Sequence, residues 1–158
     1  MSRLQFKHSR YGILQLGEDA VVALRSFEQH APDATEAGGV LLGRYLRDGY
    51  DIVVDSITTP QPSDVRTRFG FDRNGEHQRL IDEAWERSNG TCNFLGDWHT
   101  HAEPYPRPSA IDLGNWMRMM REDIRDDEAC FFVIVGQAEI RCWEGNRTTS
   151  SITRLERA

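Results

Sequence analysis

The chain has 158 residues, 39% of them hydrophobic and 28% charged, which excludes a disordered or membrane-embedded chain and suits one compact domain across residues 1–158. The formal net charge of −6 and a pI near 5.4 provide no basic field for a phosphate backbone, so no nucleic-acid partner is expected. Taken in order, Gly12 to Leu16 reads as a short strand. Glu18 to Gln29, with Val21, Val22, Leu24 and Phe27 apolar, reads as a helix. Gly38 to Leu46 and the β-branched stretch Tyr50 to Thr58 read as strands joined at Asp48-Gly49, a hairpin signal. Pro60 to Arg68 has no period and reads as a loop. Glu76 to Ser88 carries Leu80, Ile81, Ala84 and Trp85 at helical spacing and stops at Asn89-Gly90. Thr91 to His101 reads as a strand, followed by a loop with Pro104, Pro106 and Pro108 and a helix over Ser109 to Arg121. Cys130 to Val135, Glu139 to Trp143 and Ser151 to Leu155 complete the set as strands, an order that argues for an α+β or α/β/α domain.

Cys92, Cys130 and Cys142 are odd in number and form no C-x-x-C pair. They read as small buried hydrophobes in a reducing compartment, with no disulfide framework expected. The first ten residues, MSRLQFKHSR, contain no apolar core of a secretory signal. Ala129 to Gly136, the longest apolar run, is too short to span a bilayer. A cytoplasmic chain without a membrane partner is the expectation.

The stretch that carries chemistry is Asp97-Trp98-His99-Thr100-His101, then seven residues, then Ser109-Ala110-Ile111-Asp112. On a strand, His99 and His101 point to the same side and can present two imidazoles to one point. Imidazole suits zinc. An isolated H-x-H is more often a pair of surface polar residues, and S-x-x-D before an apolar helix is most simply a capping box. The joint spacing changes the balance, because its chance occurrence after a given histidine is on the order of one in ten thousand at ordinary residue frequencies. Two imidazoles and the Asp112 carboxylate leave a fourth tetrahedral position for water, the layout of a catalytic rather than a structural zinc. Hydrolysis also needs a base beside the metal. Glu36, just before the glycines of Ala37 to Gly43, is the candidate, with Asp33, Asp97 and Glu103 as rivals.

Glu36, His99-Thr100-His101, Ser109 and Asp112 together resemble the JAMM signature of the JAB/MPN metallopeptidases, and Glu36 to Gly43 resembles the start of that family's motif. The resemblance runs from about Tyr11 to Trp143. It implies an α+β fold with a central curved mixed β-sheet flanked by helices. It further implies Zn2+ on His99, His101 and Asp112, Glu36 as general acid/base, and Ser109 as a donor to the tetrahedral intermediate. The implied reaction is cleavage of a peptide or isopeptide bond after the extended C-terminal tail of a ubiquitin-like protein. Trp98 before His99, and Ser109 to Trp116, look like bacterial stand-alone JAB proteins, some of which lie in CBASS antiphage operons and release a cGAS-like nucleotidyltransferase from its conjugates. Another ubiquitin-like pathway, or precursor processing, is the alternative. The chain departs from the family at Ala102, where proline is common, and at Ala37, where Thr or Ser is common. These bear on loop shape and substrate fit.

Two other readings compete. His101-Ala102-Glu103-Pro104 superficially resembles the H-x-E of nucleobase deaminases, but the P-C-x-x-C that would complete that shell is missing. A non-catalytic scaffold typically lacks one of the ligands, and here all are present. Arg66, Arg68 and Phe69 read either as a groove for a peptide tail or as a solvated loop. Trp116 is expected to be a core aromatic, and His8, His30 and His77 have no assigned role.

Overall fold

The computed structural model describes residues 4–47, 49–122 and 129–158. The strands are β1 (Leu4–Lys7), β2 (Ile13–Leu16), β3 (Gly38–Tyr45), β4 (Ile52–Ile57), β5 (Val65–Thr67), β6 (Gly70–Asp72), β7 (Asn93–Thr100), β8 (Ala129–Val135), β9 (Ile140–Asn146), β10 (Ser151–Arg154) and β11 (Glu156–Arg157). The helices are α1 (Glu18–Arg25), α2 (Glu76–Arg87) and α3 (Ala110–Glu122). This is the expected α+β fold: a mixed sheet in the order β10-β9-β8-β7-β3-β4-β2-β1-β11, with β2/β4 and β7/β8 parallel and the other pairs antiparallel.

Both faces of the sheet are covered. Phe131, Val133 and Val135 of β8 join the larger core with Ala20, Val21 and Leu24 of α1. Cys130, Phe132 and Ile134 of the same strand join Trp116 and Met120 of α3. The continuous apolar run of β8 is therefore a strand buried on both sides. The sheet also curves until its ends share one segment. β10 pairs with β9 and β11 pairs with β1, and Leu155 alone separates β10 from β11.

Several boundaries differ from the sequence reading. The first helix ends at Arg25 rather than Gln29, because the chain turns at Ser26 and the Gln29 side chain is needed inside. The segment expected to be loop contains β5, which forms a small hairpin with β6. Leu4–Lys7 and Glu156–Arg157 are additional strands. The expected Asp48-Gly49 turn falls partly outside the described residues. Cys130 and Cys142 are buried as expected, whereas Cys92 is only half-buried. Among the described residues, no helix is long and apolar enough to cross a membrane.

Candidate active site

A bulge in β7 sets the direction of the histidines. Leu41 pairs with Gly96 but Leu42 pairs with Phe94, so one extra residue sits in β7 opposite β3. Phe94 packs on the α3 side and Leu95 on the α1 side. Strict alternation would then send Trp98 and Thr100 towards α3. The bulge reverses this: Trp98 joins the α1-side core, and the His99 ring faces Trp116 of α3 at 6.1 Å. Gly96 takes φ +152°, and a Cβ there would lie 1.6 Å from the Phe131 carbonyl oxygen, so only glycine fits.

Asp112 comes to the same point from the first turn of α3. Its Oδ2 lies 3.0 Å from His101 Nε2 and 3.3 Å from His99 Nε2, and the two nitrogens are 3.0 Å apart. Capping and convergence coexist, as the S-x-x-D pattern allowed. Asp112 Oδ2 accepts from Ser109 N–H at 2.8 Å, and Ser109 Oγ accepts from Asp112 N–H at 3.0 Å. Burial opposes the Asp112 charge, but the bonds from His101 and His99 prevail and hold its carboxyl well below the usual range. Burial would likewise lower His101, yet its bonds to Asp112 and Glu103 raise it to about 9.

Glu36 is buried beside them, and its carboxylate falls within 4.8 Å of ligand atoms of both histidines. Burial pushes its pKa up to about 8, with His101 drawing it back and Asp112 adding to the rise. Its backbone is clamped by the small hairpin: Glu36 N–H donates to the Thr67 carbonyl at 2.7 Å, and Arg66 Nε donates to the Glu36 carbonyl at 2.8 Å. Thr100, between the histidines, locks the next residue. Ala37 N–H donates to Thr100 Oγ1 at 3.0 Å, and that hydroxyl donates to Gln29 Oε1 at 2.6 Å. Sequence reasoning gave Thr100 no role, and its partners 63 and 71 positions away leave no local trace.

Of the rival carboxylates, Glu103 accepts from His101 Nδ1 at 2.7 Å. Burial raises the Asp97 pKa, and Arg73 partly offsets this through a side-chain pair at 3.2 Å. Asp33 is exposed. His77 has a structural part that sequence reading missed. Fully buried, its Nε2 meets Asp64 Oδ2 at 2.7 Å and its Nδ1 meets Thr58 Oγ1 at 2.7 Å, pinning α2 to the segment that follows β4. Arg66 holds Glu36, and Arg68 stacks on Phe69 at 5.3 Å. Trp116 is a core aromatic, stacked on Phe132 at 4.4 Å, and also walls the site. A cleft of about 730 Å³ opens from Glu36, His99 and Asp112 and runs between β6, α2 and α3, with Phe71, Ile81, Phe94 and Met119 as its apolar walls.

The His99 and His101 imidazoles, a carboxylate at a helix start and a second, buried carboxylate converge beside a cleft, an arrangement of side chains that could hold a metal ion. Residues 18–146 match the model of the prokaryotic homologues of the JAB domain, and the chain belongs to that family. It is 36% identical over 140 residues to a protein of Escherichia coli (strain TW11681) named CD-NTase/cGAS isopeptidase, covering 88% of this chain and 85% of that one. It is 38% identical over 151 residues to a protein of the same name from Vibrio cholerae serotype O1, covering 95% and 92%. A solution structure of a protein from Desulfitobacterium hafniense shares the fold at TM-score 0.59 and 21% identity, over 90% of this chain and 88% of that one.

Proposed function

We propose that residues 1–158 act as one catalytic domain, a zinc-dependent isopeptidase of bacterial antiphage defence. It would release a cGAS-like nucleotidyltransferase from the proteins to which its C-terminal tail has been joined. The convergence of His99 Nε2, His101 Nε2 and Asp112 Oδ2 carries the reading. Donor atoms on a tetrahedral zinc at about 2.0–2.1 Å lie about 3.3 Å apart, and the three separations here are 3.0, 3.0 and 3.3 Å. Glu36 is more distant and is left as the base. When bound, zinc would polarise the scissile carbonyl and lower the pKa of a coordinated water.

The chain's own residues supply the remainder. Glu36, buried beside the two imidazoles, takes a proton from the attacking water and returns it to the departing lysine amine. Ser109 Oγ is occupied as an acceptor by Asp112 N–H, so its hydroxyl hydrogen is the free donor for the developing oxyanion. The cleft receives the extended tail, and Trp116 shields one side from water. The two isopeptidase-named relatives and the family support the substrate class. A cytoplasmic location follows from that substrate.

The test is cleavage of a nucleotidyltransferase tail joined through an isopeptide bond to an acceptor lysine, with products identified by mass. Glu36→Gln is expected to keep zinc at about one equivalent and to lose at least about a hundredfold in kcat. A variant that cleaves as fast as the parent would remove Glu36 from the mechanism. A strong chelator should abolish cleavage, and a thiol alkylator should not.

A further inference from the structure

Ala102 and Glu103 follow His101 and lead the chain out of the sheet. The His101 N–H donates to the Val135 carbonyl at 3.0 Å, and the chain then leaves the sheet. The loop that follows is strapped to the β8–β9 turn. Gln137 N–H donates to the Glu103 carbonyl at 2.8 Å, and Ala138 N–H donates to the Pro104 carbonyl at 3.1 Å. Gly136 permits this closeness, since a Cβ there would meet Pro106 Cδ at 2.5 Å and the Pro104 oxygen at 2.6 Å. Arg141 closes the strap, lying 5.6 Å over the Tyr105 ring and donating to the Pro106 carbonyl at 3.4 Å.

The strap fixes one carboxylate. Glu103 Oε2 accepts from Arg107 N–H at 3.2 Å and from His101 Nδ1 at 2.7 Å. With Nδ1–H committed to Glu103, Nε2 is the ring nitrogen left facing His99 and Asp112, and its proton is the one a metal would displace. No such bond is made to His99 among the described residues; its ring rests against Trp116 instead. The two histidines are thus held differently, one by a hydrogen bond and one by packing.

We infer that Glu103 is a positioning residue for the metal: it sets the tautomer and ring orientation of His101 through Nδ1. The inference rests on the zinc reading above. A partner on the far nitrogen of a ligating histidine also raises the basicity of the ligand, and losing such partners typically costs about 10- to 100-fold in metal affinity. Glu103 is partly exposed, so its removal should leave the fold standing.

The experiment is competition for zinc against a chromophoric chelator at one pH, using the full chain and its E103A, E103Q and D112A variants. The metal-free unfolding of each is recorded alongside. E103A should bind about 10- to 100-fold more weakly than the parent. E103Q retains an acceptor oxygen and should stay within about threefold of the parent. E103A within threefold of the parent, or E103Q losing as much as E103A, would overturn the inference. Should E103A not fold, E103D, one methylene short of Nδ1, stands in and is held to the same limits. A parent chain that takes up no zinc, or D112A binding as the parent does, would defeat the zinc reading itself rather than the part given to Glu103.

Discussion

Glu36 is the residue whose environment says most. Its carboxylate is buried, and its pKa rises from an ordinary 4.5 to about 8 because burial penalises the charge. The folded chain then holds a proton that the unfolded chain has released, so stability falls as pH rises between the two values. His101, raised from 6.5 to about 9, acts with the same sign, its contribution being complete below 6.5 and lost as pH passes 9. Glu36→Gln separates the two. The metal-free parent should lose stability relative to the variant as pH rises from 5 to 8, by an amount on the order of a few kcal/mol. Denaturant unfolding at a series of pH values would read it. A constant difference would mean that the Glu36 carboxyl titrates normally.

At the scale of elements, Gly96 governs the direction of the site's histidines. The bulge there turns His99 and His101 towards α3, and a Cβ would run into the Phe131 carbonyl. Gly96→Ala must flatten the bulge or part β7 from β8. It should cost on the order of 3 kcal/mol or more and weaken metal binding together with stability. A Gly96→Ala protein with native stability and full zinc affinity would show that the histidines are oriented by something else. This element also marks the limit of what sequence could reveal. The convergence of the H-x-H and S-x-x-D side chains was legible because they lie within fourteen residues and follow strand and helix periods. Glu36 needed a family resemblance, being joined to that stretch only through β3 pairing and Thr100. The bulge was hidden, because a glycine inside a strand pattern does not announce a reversed alternation. β5 was hidden too: Val65, Arg66 and Thr67 are all exposed, so no buried face left a period to read. The His77 chain to Asp64 and Thr58 was invisible for the same reason as Thr100, its partners being remote in sequence.

On the whole-molecule scale, β3 and β7 lie in the middle of the sheet and the closing segment lies at both of its ends. Leu155 is where those ends meet. It is buried in the α1-side core, its N–H donates to the Cys142 carbonyl at 2.9 Å, and β10 and β11 leave it in opposite pairings. Closure leaves the sheet without a long free edge, which protects it from pairing with other chains. Leu155→Ala removes apolar contact at the point where the two edges of the sheet meet. It should cost about 2–5 kcal/mol, as buried leucine truncations do. The loss should also be uneven. Amides in β1 and β10 should exchange faster, while those of β3 and β7, several strands away in either direction, keep their protection until global unfolding. Zinc affinity of the folded variant should then equal that of the parent, because His99, His101 and Glu36 lie on or next to the central strands and Asp112 is held at the start of α3 by Ser109, all away from Leu155. Hydrogen exchange that starts in β7, or a metal site that weakens in step with Leu155→Ala, would show instead that closure and catalytic geometry are one cooperative unit.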